Sequence, residues 1–164
     1  MALTIEDGTI VQNANSYVTL AEVREYATQR GLTLPTADVS LEPLVVRAYD
    51  YLESLAYKGV PIEALQPSSW PRKLVYVNGT ELPDDEIPLD LKKANCQLAY
   101  EANTVNLQPT TSGQKVVREK VDVIEVEYEA NGVSSNSPVF KTVESLLKNL
   151  IASGGIGSTL TIRI

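Results

Sequence analysis

Ser69-Trp70-Pro71-Arg72, then Asn78-Gly79, then Ile87-Pro88: this run separates two helical patterns and sets the architecture on either side of it. It holds the chain's only Trp, locked to a proline and next to an arginine. With Pro61, Pro67 and Pro83 it makes residues 60–87 an irregular connection, because proline lacks the N–H that a helix interior needs. Residues 74–77 read as a short strand. Asn78-Gly79 reads as a hairpin turn, since both residue types tolerate positive φ. In such a loop Trp70 is expected to anchor the chain in the core, Pro71 to stiffen it, and Arg72 to bond loop carbonyls or a carboxylate.

On the N-terminal side, Leu44, Ala48, Tyr51, Leu52 and Leu55 recur at helical spacing, with Ser40 as the expected N-cap, Pro43 in the first turn, and Gly59 and Pro61 as the stop. Before that helix, Thr19 and Glu22 form a capping-box pattern. The box opens a helix over about 20–30 that buries Leu20, Val23 and Ala27 and stops at Gly31. The first eighteen residues, with Asp7-Gly8 as a turn and Asn13, Asn15 and Ser16 as loop formers, read as an extended arm.

On the C-terminal side, Pro88 starts a third helix with a broad apolar face of Leu91, Ala94, Cys96, Leu98, Ala99 and Ala102. Residues 108–114 are a polar linker. Residues 116–128 read as a two-stranded ribbon turning near Asp122-Val123, with Ile124, Val126 and Tyr128 alternating with Glu125, Glu127 and Glu129. Ser137-Pro138 then caps a fourth helix whose stripe is Val139, Val143, Leu146, Leu147, Leu150 and Ile151, stopped by Gly154-Gly155. Leu160-Thr161-Ile162-Arg163-Ile164 alternates like a strand that needs an edge to join. The expected class is α+β, mainly α: a small bundle of about four helices with a β-hairpin or ribbon and extended N- and C-terminal arms. Residues 1–107 form the helical core with its arm and Trp-Pro-Arg loop. Residues 108–164 form the linker, ribbon, C-terminal helix and strand-like tail.

Composition narrows the chemistry. The chain has 164 residues, 43% hydrophobic and 21% charged, values of an ordinary globular protein. Its net charge of −7 gains nothing from counterion release on nucleic acid and is repelled by anionic membranes. No apolar run of about 18 residues predicts a membrane span, and Glu6-Asp7 does not fit the basic start of a signal peptide. There is no His and one Cys, Cys96, so Cys–His and Ser-His-Asp arrangements are excluded and any metal site would be carboxylate-only. Asp84-Asp85-Glu86 reads as a helix start, which the macrodipole favours. Gly154-Gly155-Ile156-Gly157-Ser158 reads as a helix stop, because it follows a helix where a phosphate loop precedes one. The basic groupings are Lys92-Lys93 and Lys115, Arg118, Lys120, the second set among Glu119, Asp122, Glu125, Glu127 and Glu129. The expectation is a binding protein with no reaction chemistry, no cofactor and no metal.

Leu3-Thr4-Ile5-Glu6-Asp7-Gly8, Asn15-Ser16-Tyr17-Val18, Arg47-Ala48 with Tyr51-Leu52, Trp70-Pro71-Arg72, and Ile87-Pro88 leading to Lys92, Ala94 and Ala99 follow one another at a recognisable spacing. In that order the chain resembles a tailed-bacteriophage family of head–tail adaptor (connector, head-completion) proteins, commonly labelled DnaT-like single-stranded-DNA-binding proteins. The resemblance covers roughly residues 3–130. It implies a structural virion protein, a dodecameric ring between portal and tail that continues the DNA exit channel. Its partners would be other copies of itself, the portal protein and tail or neck proteins, with DNA as passing cargo and no membrane. It would be assembled in the host cytoplasm and reside in the virion neck. The alternative, taken from the label, is a single-stranded-DNA-binding protein. On the adaptor reading the candidate inter-subunit or portal contacts are Leu160, Ile162, Ile164, Ile124, Val126 and Tyr128, and the loop anchor is Trp70, Pro71 and Arg72.

Overall fold

The structure is a computed structural model. It describes residues 2–109, the backbone of strands 116–120 and 125–128, and residues 138–152.

Helix α1 (Leu20–Gln29) opens on the expected box: Glu22 N–H donates to Thr19 Oγ1 at 3.2 Å and Thr19 N–H to Glu22 Oε2 at 2.6 Å. It closes at Gly31, whose φ of +64° lets Leu32 N–H return to the Ala27 carbonyl at 2.9 Å. Helix α2 (Asp38–Glu53) begins two residues before the expected Ser40 cap. Its N-cap, Ala37, has no side-chain bond, and the start is held from outside. The Arg24 guanidinium bonds the Thr36 carbonyl at 2.9 Å and the Asp38 carboxylate at 2.6 Å. Pro43 consequently falls inside the helix, at an exposed position. The buried face is wider than the expected stripe and includes Leu41, Val45 and Tyr49, because α1, α3 and the following loop all cover it.

The irregular region is tied by two small antiparallel pairs. Strand β1 (Val60–Pro61) pairs with β2 (Arg72–Lys73). Strands β3 (Tyr76–Val77) and β4 (Thr80–Glu81) form the hairpin, and Asn78 and Gly79 take φ of 52° and 82°, the two positive values a type I′ turn requires. Helix α3 (Leu89–Glu101) is the central helix, packing on α1, α2 and α4. Asp84-Asp85-Glu86 lies exposed upstream of it, and Asp90 alone supplies the acidic first turn.

Strands β5 (Val116–Lys120) and β6 (Glu125–Tyr128) form the expected ribbon, paired from Val116↔Tyr128 to Lys120↔Glu125 with a bulge between Val116 and Arg118. The ribbon belongs to a compact unit of its own, Gln108–Pro138. Helix α4 (Lys141–Leu147) is shorter than expected. It starts after Phe140, Val139 is 64% exposed and off the stripe, and Ser137 lies outside the described residues. The chain past it stays on the core: Lys58 N–H donates to the Leu150 carbonyl at 2.9 Å and Ala152 N–H to the Ala56 carbonyl at 3.0 Å. Burial of Val143, Leu147 and Leu150 places 139–152 with the helical core, so the expected 108–164 segment does not hold together as one unit. The architecture is α+β and mainly helical, with four helices and three two-stranded antiparallel pairs among the described residues.

Residues 2–18 are extended in part, but they are built into the core. Glu6 is fully buried, its N–H donates to the Ser16 carbonyl at 2.8 Å, and its carboxylate accepts the N–H groups of Gly8, Ile10 and Val11 at 2.9, 3.1 and 2.8 Å. A buried carboxylate is tolerated when donors surround it in this way. Gly8 has φ of +109°, and a Cβ there would lie 2.1 Å from the Asp85 carbonyl oxygen. The turn can therefore be made by glycine alone.

Candidate functional site

The polar groups of the motifs converge on the Trp-Pro-Arg loop. Trp70 is fully buried, and its ring meets Tyr57 edge-on at 5.7 Å. The Trp70-Pro71 peptide is cis, and Pro71 is buried. Arg72 acts as a clasp: Nε donates to the Lys58 carbonyl at 2.7 Å, Nη2 to the Gly59 carbonyl at 3.0 Å and Nη1 to the Ser69 carbonyl at 3.1 Å. All of its bonds go to loop carbonyls, and a planar fork of five donors suits that task. Gln66 ties the loop from within, with Nε2 donating to the carbonyls of Ser68 and Pro71 at 2.8 and 2.9 Å and Oε1 accepting Ile62 N–H at 2.8 Å.

Beneath the loop lies a polar network that sequence reasoning missed. Tyr17 Oη donates to Glu53 Oε1 in a short bond, Glu53 Oε2 accepts Ser69 N–H at 2.7 Å, and Tyr17 Oη accepts Trp70 N–H at 3.3 Å. Tyr49 Oη pairs with Ser68 Oγ at 2.7 Å, and the Tyr17 and Tyr49 rings lie 5.0 Å apart. Asn95, fully buried on α3, accepts Tyr17 N–H at 3.1 Å and donates to the Val45 carbonyl at 3.3 Å. One residue thus joins the N-terminal segment, α2 and α3. Its signal in the sequence was a polar residue on the apolar face of α3.

Burial raises the Glu53 carboxyl above its ordinary value, against the Tyr17 and Ser69 bonds that favour the ionised form. Burial and the Glu53 carboxylate push the Tyr17 phenol well above its ordinary value. Burial pushes Tyr49 up to about 12 and the Cys96 thiol up to about 12. A carboxylate with both oxygens occupied and phenols locked in the neutral form act as struts. The Trp70 indole Nε1 is a buried donor with no acceptor among the described residues. Among the described residues no group of three or more His, Cys, Asp or Glu is placed to hold a metal ion.

Several of the cations have partners. Arg24, Lys92 and Lys93 lie 2.6, 3.7 and 3.9 Å from Asp38, Glu22 and Asp90. Lys58 donates to the Asn149 carbonyl at 2.9 Å, and Arg30 covers the Tyr26 ring at 3.7 Å. Tyr76 is the exposed aromatic side chain among the described residues, and its hydroxyl donates to Glu81 at 3.0 Å. Of the other sequence candidates, Val126 and Tyr128 lie on β6 of the ribbon, while Ile124, Leu160, Ile162 and Ile164 lie outside the described residues.

No curated protein and no solved structure matches the chain. A family model does, from residue 1 to residue 164, and it spans the N-terminal turn, the Trp-Pro-Arg clasp and the ribbon alike. The chain belongs to the family described as "Putative DnaT-like ssDNA binding protein".

Proposed function

We propose that this chain is a structural virion protein, a head-to-tail adaptor that forms a ring between portal and tail and grips its neighbours by shape. The observation that carries this reading is the division of the chain into a helical body whose polar groups are largely spent on itself and a separate ribbon unit, Gln108–Pro138. A body of that kind offers little to a diffusing substrate, whereas a ribbon offers backbone hydrogen bonds and alternating side chains to a neighbouring edge. The net charge of −7 suits a protein that lets DNA pass without holding it. Val126 and Tyr128 on the ribbon, with Ile124, Leu160, Ile162 and Ile164, are the contacts assigned to neighbouring subunits or the portal.

A second reading, single-stranded-DNA binding, is favoured by the description of the family to which the chain belongs. Gel shifts with oligonucleotides over a salt series separate the two. The adaptor reading expects no retained complex at physiological salt, together with the protein in virion necks by electron microscopy. Deleting residues 157–164 is expected to leave a folded protein that no longer joins heads to tails. Tight, salt-sensitive capture of oligonucleotides by a single subunit would overturn the adaptor reading in favour of the second.

A further inference from the structure

Strands β5 and β6 pair with each other and, among the described residues, with no other strand. A ribbon of two strands, five and four residues long, is marginal by itself in water, and each strand keeps one edge free for pairing. Its register sets opposite charges together: Arg118 stands opposite Glu127 and Lys120 opposite Glu125, while Glu119 stands opposite Val126. We propose that the free edge of β6 in one copy pairs with the free edge of β5 in a second copy of the chain, antiparallel and in the same register.

Two observations select that occupant. The first is charge spacing. Positions along a strand alternate between its faces, so Glu125 and Glu127 fall on the same one. A strand complementary to them carries two basic residues two positions apart. Arg118 and Lys120 are the only basic residues so spaced in the chain. Residues 153–164 carry a single charge, Arg163, and cannot match both glutamates. The chain's own β5 already occupies the other edge of β6, so the strand that fits the free edge is β5 of another copy. The second observation is the poor fit of the symmetric alternatives. Antiparallel pairing of β6 with β6 of a second copy sets glutamate against glutamate, and pairing of β5 with β5 sets Arg118 against Lys120. Like charges directly opposite each other destabilise a sheet, whereas opposite charges stabilise it.

Pairing of β6 with the next copy's β5 uses a different strand on each side, so the contact is head-to-tail. Such a contact closes into a ring when the rotation per copy divides the circle. Main-chain hydrogen bonds supply its affinity, and the charged pairs fix its register. The inference deepens the adaptor reading and rests on it for biological meaning, yet its test is separate. Absence of the strand pairing with the protein still present in necks removes only the pairing. Oligonucleotide capture removes the adaptor reading whatever the ribbon pairs with.

The test is disulfide trapping in the full chain with Glu119→Cys and Val126→Cys, positions that the shared register sets opposite each other within a copy and between copies. Cys96 is buried and does not compete. A chain carrying both substitutions is expected to close its own link, which reports the ribbon itself. Mixing the two single variants under mild oxidation is expected to give a linked heterodimer, at several times the yield obtained when Glu63→Cys, exposed on the helical body, replaces Glu119→Cys. Charge exchange in the Glu119→Cys chain (Arg118→Glu, Lys120→Glu, Glu125→Lys and Glu127→Lys) keeps its own pairs complementary but sets glutamate against glutamate between copies. The yield with the unexchanged Val126→Cys chain is then expected to fall roughly three- to tenfold at low salt, and exchange in both chains to restore it. Heterodimer no greater than the Glu63→Cys control overturns the proposal, whether or not the doubly substituted chain closes its own link. So does a yield indifferent to the charge exchange, or an excess of links between two Val126→Cys chains over the heterodimer.

Discussion

Replacing Tyr17 by Phe tests whether the network beneath the Trp-Pro-Arg loop holds the fold. The ring is retained, so packing against Tyr49 at 5.0 Å is kept and only the hydroxyl is lost. That hydroxyl donates to the Glu53 carboxylate and accepts Trp70 N–H at 3.3 Å. A hydrogen bond to a charged group contributes about 1.5–3 kcal/mol, and leaving a buried N–H unpaired costs about 1 kcal/mol at the lower end of its range. The expected loss is about 2.5–4 kcal/mol, a large part of the roughly 5–15 kcal/mol by which such domains are stable. It corresponds to a Tm drop on the order of 10 °C. Urea unfolding of both proteins measures it.

The loss should also depend on pH. Burial raises the folded-state pKa of Glu53 above 4.5, so the folded chain holds that proton more tightly than the unfolded chain. Stability from this group therefore falls as pH rises from 4.5 through the raised value. The Tyr17 bond opposes the rise. Without it the carboxyl moves further up, and the falling window widens upward. Tyr17→Phe should then cost more at pH 7 than near pH 5. A loss below about 0.5 kcal/mol, the size of an ordinary surface change, or one equal at both pH values, would refute the network as the fold's support.

Gly8→Ala should destabilise by at least about 3 kcal/mol, because the new methyl group meets the Asp85 carbonyl oxygen at 2.1 Å; a urea midpoint unchanged from wild type would contradict the close approach. Leu74 is 55% exposed with φ of 61°, so Leu74→Asn should raise stability by roughly 1 kcal/mol through relief of left-handed strain, read as a higher urea midpoint at unchanged slope. Cys96 is 4% exposed and its thiol is pushed up to about 12, so a thiol reagent at pH 8 should label it only as fast as the chain unfolds, and at once in urea; rapid labelling of the folded protein would contradict that burial.

What local chemistry controls was legible in the residues themselves. The Thr19–Glu22 box, the Asn78-Gly79 turn and the Gly31 stop each depend on neighbours a few positions apart, and the structure has them where the pattern puts them, whereas α2 keeps its apolar stripe but ends at Glu53, before the expected Gly59 stop. The Trp-Pro-Arg loop was visible as a unit for the same reason, since a buried Trp and an Arg among prolines have few other uses. Local rules failed where a distant partner intervened: Ser40 lost its cap role because Arg24 holds the start of α2 from another helix, and the N-terminal segment lies on the core because Glu6 and Asn95 fasten it there. Tyr17, Glu53 and Ser69 each read as ordinary surface-capable residues. They are separated by 36 and 16 positions, and nothing in one-dimensional periodicity pairs them. Only packing α2, α3 and the loop around a shared interior removed water from these groups and made them each other's hydrogen-bond partners. The tertiary structure therefore decided the network and the attachment of α4 to the core, because each depends on burial, which no single segment of the chain can produce alone.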